Sequence, residues 1–435
     1  MNTRYASPRL ALGVVTTIFF MWGFITVLND VLIPHLKSVF TLNYAQAMLV
    51  QFIFFGAYFV MSLPAGRVIA RYGYRAGIAI GLGVTGIGAL LFIPAARLVS
   101  YELFLAAFFV LASGITLLQV AANPYVSMLG DPRHASSRLN LAQALNSLGT
   151  TLAPKVGGLL ILSASVLGTA ELAALSPAAR SAYRLQQAQL VTGPYLMLAG
   201  VLFALAIGVW LFRLPPLTEA TVRGDARVHG FRDVLRHRHV RNGVIGIFLY
   251  VGAEVAIGSF LINYLSMREI GGFSESVAAG YVSLYWGGAM VGRFAGFLLL
   301  RRFDARVLLG IFATIAGALL LLTMTSSGAV ALWSIVAIGL FNSIMFPNIF
   351  TLAIERLGPM TDRAASLLVM AIVGGAIVPL LQGLLADRIG VQHAFLLPLF
   401  CYVYIVWYGW RGSRIEEDAT LIASTTTPPT TTVAH

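Results

Sequence analysis

The stretch PPLTEATVRGDARVHGFRDVLRHRHVR, residues 215–241, is the only long part of this 435-residue chain that is both polar and basic. It carries Arg223, Arg227, Arg232, Arg236, Arg238 and Arg241, and Arg213 lies just before it. On both sides of it the chain is apolar. Hydrophobic residues make up 58% of the sequence and charged residues 11%, with a mean hydropathy of +0.83. A soluble domain carries about 25% charged residues, so this composition is that of a polytopic membrane protein. Runs long enough to cross a bilayer, bounded by charges and turn residues, lie near 10–34, 45–70, 74–97, 101–128, 138–166 and 192–214. After the basic stretch come six more, near 242–267, 275–300, 305–325, 329–355, 364–386 and 391–411. The predicted fold is all-α, with twelve transmembrane helices in two six-helix halves, 1–214 and 242–412. A basic cytoplasmic linker, 215–241, joins them, and the tail 413–435 is too poor in apolar residues to fold.

The lone cysteine, Cys401, excludes a disulfide framework and a cysteine-based zinc site. No cleavable signal peptide is expected, because 10–33 exceeds a signal core and no small-residue cleavage site follows it. Orientation follows from the basic residues. With the N-terminus inside, six Lys and Arg fall outside (Lys37, Arg97, Arg180, Arg184, Arg268, Arg388), Lys155 falls within a span, and the other 22 of 29 fall inside. Both termini are therefore predicted to be cytoplasmic. The net charge of +12 then faces anionic inner-leaflet lipid, and nucleic acid is not an expected partner.

The halves repeat a pattern. The first reads Asn123-Pro124, Gly130, Arg138, Pro154, then Gly157-Gly158-Leu159-Leu160. The second reads Pro347-Asn348, Gly358, Arg363, Pro379, then Gln382-Gly383-Leu384-Leu385. The two prolines are 30 residues apart in one half and 32 in the other. Parallel repeated halves with a site between them near the midplane are the architecture of alternating-access carriers.

Three ionisable groups read as lying well inside spans: Asp30, Lys155 and Glu254. A charge at the centre of a span costs about 2.5–3.5 kcal/mol on the mildest scale, so such groups are seldom idle. Asp30 lies in MWGFITVLNDVLIP, residues 21–34. Either it is solvated near the outer interface, or it faces a polar cavity and carries a proton, a cation or a substrate hydroxyl. At 1.5 Å per residue, Lys155 and Glu254 fall near the centres of their spans, and Asp30 lies within about 10 Å of Lys155 in depth. Lys155 either snorkels to an interface or pairs with Asp30, and a carboxylate gains its charged form beside a cation and loses it in apolar surroundings. Glu254, between Gly252 and Gly258, either bonds a neighbouring helix or serves cation or sugar binding.

Amides surround these charges: Asn29, Gln51, Gln119, Asn123, Asn140, Gln143, Asn146, Asn263, Asn342, Asn348 and Gln382. Sugars are bound by such donor–acceptor groups, with aromatic faces against the apolar side of the ring. Trp22, Phe55, Tyr58, Tyr250 and Trp286 are candidates for those faces. Gln143 and Asn146 share one helix face with Asn140 a turn back, and Gln119 and Asn123 share another. Roughly half of the amides are expected to be interhelical glue, which needs no ligand.

The six-plus-six plan resembles the major facilitator superfamily. Its loop signature survives as Gly66, Arg71, Gly73 and Arg75, with Ala70 where the aspartate would stand. A second version, Gly383-Leu-Leu-Ala-Asp387-Arg388-Ile-Gly390, falls in an outer loop and cannot serve that gating role. The first half is similar to the fucose and glucose–galactose permease family in Leu28-Asn29-Asp30-Val-Leu-Ile-Pro34, Gln51, Tyr58-Phe59 and Pro64-Ala-Gly66. Ala121-Ala122-Asn123-Pro124 and RLNLAQALNSLG, residues 138–149, carry the likeness further. The phrases Gly-Thr-Thr-Leu-Ala-Pro154 and Tyr-Val-Gly-Ala-Glu254 resemble the glucose–galactose branch. The resemblance implies that Asp30 and Asn146 handle sugar or proton, and that a second carboxylate of fucose permease is replaced here by Gln119, which binds a hydroxyl but cannot titrate. Asp30 then carries the coupling proton alone, or Glu254 has taken the second role.

The chain is accordingly expected to be a hexose or hexose-derivative symporter of the bacterial inner membrane, not an enzyme, acting as a monomer among membrane lipid. Its coupling groups are Asp30, Glu254 and Lys155. Its sugar site is drawn from Asn29, Asp30, Gln51, Gln119, Asn123, Gln143, Asn146, Tyr250, Glu254, Asn263, Trp286 and Asn342. No cofactor or metal is expected beyond a proton or sodium as coupling ion. A drug exporter of the same fold is the competing carrier, with an apolar rather than amide-rich cavity. A membrane-embedded enzyme or sensor lacks support, since no nucleotide motif or metal cluster lies in the spans and His229, His237 and His239 sit in or beside the linker.

Overall fold

The computed structural model describes residues 7–40, 44–160, 175–212, 214–215 and 230–415. Regular structure among them is helical throughout. The first half holds α1 (Pro8–Phe40), α2 (Tyr44–Arg97), α3 (Tyr101–Met128), α4 (Ala135–Leu160), α5 (Pro177–Gln189) and α6 (Thr192–Leu211). The second holds α7 (Arg238–Leu265), α8 (Glu275–Leu299), α9 (Ala305–Thr325), α10 (Gly328–Asn342) and α11 (Met345–Ala353). It ends with α12 (Thr361–Met370), α13 (Gly374–Ile389) and α14 (Leu396–Trp407). Residues 216–229 of the basic linker and the tail from 416 lie outside the described residues.

Ten described stretches are long and apolar enough to cross a membrane. One of them, Leu49–Arg97, is 49 residues long and holds two crossings. They are separated at Gly73, whose φ of +81° glycine adopts without the steric cost of a Cβ. α4 falls short of the same standard because Asn140, Gln143, Asn146, Ser147, Thr150 and Thr151 interrupt its apolar sequence. Counting the two crossings of α2 and adding α4 gives the twelve that the sequence predicts.

Two predicted spans differ in being broken. α10 stops at Asn342 and α11 starts at Met345, because Pro347 has no N–H to offer the carbonyl of Ser343. In the next span a short turn of tighter helix, Ala371–Val373, separates α12 from α13. Local capping fixes other helix starts: Ser100 Oγ accepts from Leu103 N at 3.3 Å, and Asp304 Oδ1 accepts from Arg306 N at 2.7 Å.

Within the first half α1 packs on α4, and α2 on α3 and α6; within the second α7 packs on α13 and α14. Lipid offers no hydrophobic drive between helices, so small residues at close crossings carry the packing. A Cβ on Gly149 would overlap Phe20 O, and one on Gly374 would overlap Phe248 O. Between the halves α4 lies against α8 and α11, and α2 lies against α12. Gly66 of α2 sits directly on Ser366. Polar contacts across this seam gather at the end where α4 begins: Ser136 Oγ to Thr351 Oγ1 at 2.6 Å, Ser137 Oγ to Phe297 O at 2.7 Å, and Asn140 Nδ2 to Asn348 Oδ1 at 3.1 Å. Arg71, Arg75, Arg138, Arg238 and Arg363 mark the same end, called the basic end below.

Candidate functional site

The break in the tenth span organises the second half of the site. Ser343 O, left without its helix donor, accepts from Arg293 Nε of α8 at 3.3 Å. A cation there also meets the negative end of the α10 dipole. Gly292 permits the approach, since a Cβ on it would overlap Ser343. Arg293 Nη2 stands 3.9 Å from Glu254 Oε1 of α7, with the side chains 13% and 12% exposed. That is an ion pair beyond hydrogen-bond reach, and Oε1 has no hydrogen-bond partner among the described residues. Arg293 Nη1 donates to Ser147 Oγ of α4, across the seam between the halves.

Around this pair Asn342 forms a hub. Its Nδ2 donates to Tyr285 OH at 2.8 Å, its Oδ1 accepts from Tyr402 OH at 2.7 Å, and its backbone oxygen accepts from Tyr250 OH at 3.0 Å. Tyr285 OH also reaches Glu254 O at 3.4 Å. All three tyrosines are fully buried, so each hydroxyl needs the partner it has.

The first-half amides are less completely bonded than Asn342, as is Gln382 of the second half, whose two side-chain atoms have no hydrogen-bond partner among the described residues. Gln119 Nε2 donates to Tyr58 OH at 2.8 Å, while Gln119 Oε1 has no hydrogen-bond partner among the described residues. The same holds for both side-chain atoms of fully buried Asn123 and for Gln143 Nε2. Asn146 Nδ2 donates to Phe19 O at 2.9 Å, where Gly23 leaves room for it. Each such unmade buried group costs about 1–3 kcal/mol, so a hydroxyl-rich molecule that reached them would bind with a large gain.

The structure thus brings together Glu254, Tyr250 and Asn342 on one side, and sets Gln119 on Tyr58 on the other. Gln143 and Asn146 flank Ser147 on α4. Asn29 and Asp30 lie on α1 and Lys155 on α4, two helices packed together, and their side chains lie outside the described residues. Gln51 is half-buried on α2. Two candidates stand apart. Trp286 is 39% exposed, with its ring edge-on to Tyr285 at 5.2 Å. Asn263 is exposed in a shallow depression with Ser266, Met267 and Val391, about 13 Å further along α7 than Glu254.

Sequence reasoning missed Arg293, Ser147, Tyr285 and Tyr402. Arg293 was counted among the basic-end charges, yet it lies about 9 Å inside the end of α8. Its signal was Pro347, whose position frees the carbonyl that the arginine takes. The tyrosines carried no signal beyond being aromatic residues in spans.

A bundle of two like halves, with buried charge and amides meeting along their seam, defines the class of carriers that work by alternating access. The sequence profile of the Major Facilitator Superfamily matches residues 10–371, and the chain belongs to that superfamily. It is 52% identical to the glucose/galactose transporter of Brucella abortus over 95% of this chain and 97% of that one. It is 37% identical to the L-fucose-proton symporter of Escherichia coli over 90% of this chain and 91% of that one. Among solved structures it matches the outward conformation of the transporter FucP with a TM-score of 0.88 at 35% identity, covering 94% of this chain and all of that one.

Proposed function

We propose that the chain is a sugar–proton symporter that imports glucose, galactose or a related hexose through a bacterial inner membrane. Its basic end and both termini face the cytoplasm, and it acts as a monomer. The observation that carries this reading is the meeting of an amide-lined first half with the Glu254–Arg293 pair of the second, through Ser147. It occurs in a chain alike over nearly all its length to proteins named for glucose/galactose and fucose–proton transport. The halves rock about this seam, which is closed at the basic end in the state described here, so the site opens outward. Asp30 carries the coupling proton, with Gln119, Asn123, Gln143 and Asn146 binding sugar hydroxyls and Glu254 as the second acidic group. No cofactor takes part.

The test is sugar-driven alkalinisation outside proteoliposomes. Wild type should alkalinise the medium on addition of glucose or galactose, with sodium or with choline as the salt. Asp30→Asn should lose the proton signal at least tenfold while still exchanging labelled sugar. Equal proton movement by both proteins would remove Asp30 from the mechanism, and a signal that needs sodium would replace the coupling ion.

A further inference from the structure

The reading above gives Arg293 no task of its own beyond pairing with Glu254, although it touches three separate elements. A guanidinium offers five N–H donors in a rigid fork, enough to hold several acceptors at once. One nitrogen is fixed to Ser343 O at the break between α10 and α11, at 3.3 Å. Another faces Glu254 at 3.9 Å, and the third donates to Ser147 of the opposite half. The Glu254 distance is too long for a hydrogen bond, and Glu254 Oε1 has no other partner among the described residues. The guanidinium is therefore shared unequally, hydrogen-bonded to α4 and just beyond hydrogen-bond reach of Glu254 on α7. A displacement of about 1 Å toward Glu254 would bring that pair within hydrogen-bond range and draw Nη1 away from Ser147. Ser147 lies on the α4–α8 seam, which rocking of the halves must part.

We propose that Arg293 is a positioning residue of the transport cycle. It ties the Glu254 carboxylate to the α4–α8 seam through Ser147, so that the ion pairing of the one and the closure of the other change together. The inference rests on the carrier reading but not on the identity of the sugar. A purely structural arginine would hold α8 to α10 and α11 through Ser343, and the contact with Ser147 would be incidental.

The test reads the seam directly. Ser136→Cys and Thr351→Cys place two thiols where the native oxygens are 2.6 Å apart across the basic end, in a chain whose one native cysteine, Cys401, is buried. The rate of oxidative cross-linking reports closure of that end with no substrate present. Arg293→Gln should slow it about tenfold, the weight of one charged hydrogen bond. Ser147→Ala should slow it as well, yet add little on top of Arg293→Gln, because the two remove the same contact. Glu254→Gln should leave the rate at the wild-type value or raise it, since the guanidinium is then no longer shared. Arg293→Lys should keep part of the effect. Wild-type cross-linking in Arg293→Gln, or independent slowing by Arg293→Gln and Ser147→Ala, would overturn the proposal. Should Arg293→Gln fail to fold on gel filtration, Ser147→Ala decides, and an unchanged rate there is equally fatal. A wild type that moves no sugar would sink the symporter reading and leave this measurement intact.

Discussion

In the first half Gln119 of α3 donates to Tyr58 of α2 at 2.8 Å, and in the second Asn342 of α10 donates to Tyr285 of α8 at 2.8 Å. Each bond joins the second and fourth spans of its own half, so the duplicated halves share this joint as well as their prolines. They complete it differently. Asn342 Oδ1 accepts from Tyr402 at 2.7 Å and the amide is used at both ends. Gln119 Oε1, in a side chain as buried, has no hydrogen-bond partner among the described residues. Leaving a buried acceptor unmade costs about 1–3 kcal/mol. Departures of this kind from full satisfaction are expected at functional sites. The second-half amide is therefore satisfied at both ends, and the first-half amide keeps an unmade acceptor, as the proposed sugar site requires.

The largest expected effect tests what the halves have in common. Gly149 against Phe20 O and Gly374 against Phe248 O are the same crossing made twice. Gly149→Ala and Gly374→Ala should each destabilise the protein by several kcal/mol, since overpacking costs about 1–3 kcal/mol even where side chains rather than backbone give way. The loss would be seen as a smaller monodisperse peak on size exclusion in detergent. Gly56→Ala, on a helix face where a Cβ meets nothing within 4 Å, is the control and should fold normally. If only one of the two crossings is sensitive, the halves do not share this packing and the comparison loses its basis.

Next in size is the pair Asn342→Ala and Gln119→Ala. The first strips partners from two buried tyrosine hydroxyls, Tyr285 and Tyr402, and should cost about 2–4 kcal/mol of stability. The second removes one bond and deletes an acceptor that was already unmade, so its stability cost should be near 1 kcal/mol. Transport should rank them the other way. Gln119→Ala should raise KM for sugar about tenfold with Vmax little changed, and Asn342→Ala should act mainly through the amount of folded protein. Thermal unfolding beside uptake kinetics separates the two. The same ranking in both measurements would show that the joints do not differ in role.

Much of this was legible in the sequence, for identifiable reasons. Twelve apolar runs and one basic stretch determine the bundle because a bilayer leaves the backbone no alternative to helix. Even α4, too polar for a hydropathy threshold, was readable as a run bounded by charges and turn residues. Gln119 and Asn342 were both picked out as amides, but which was open and which closed depends on Tyr402, whose span follows sixty residues later and whose hydroxyl has no local signature. Arg293 was misjudged because distance from a helix end was read as nearness to water. The break at Ser343 decides that point, and its cause, Pro347, had been noted only as a landmark of duplication.

The smallest and most discriminating effect should come from the tyrosines. Tyr58→Phe and Tyr285→Phe each delete one hydroxyl and leave one amide nitrogen without its acceptor, a cost of about 1 kcal/mol. After Tyr285→Phe, Asn342 is still held through Oδ1 by Tyr402, so the amide keeps its orientation. The result should be a melting temperature lowered by a few degrees and an unchanged KM. After Tyr58→Phe, no hydrogen bond to a described residue holds the Gln119 side chain at either end, and the amide is free to turn its oxygen away from a sugar hydroxyl. KM should then rise about three- to tenfold, on top of a similar lowering of the melting temperature, because one hydrogen bond is worth about 1 kcal/mol. A shift of KM by the same factor in both variants would mean that Asn342 is as exposed to the sugar as Gln119 is. The second half would then hold an open joint too, and the division of labour between the halves would have to be redrawn around Glu254 and Arg293.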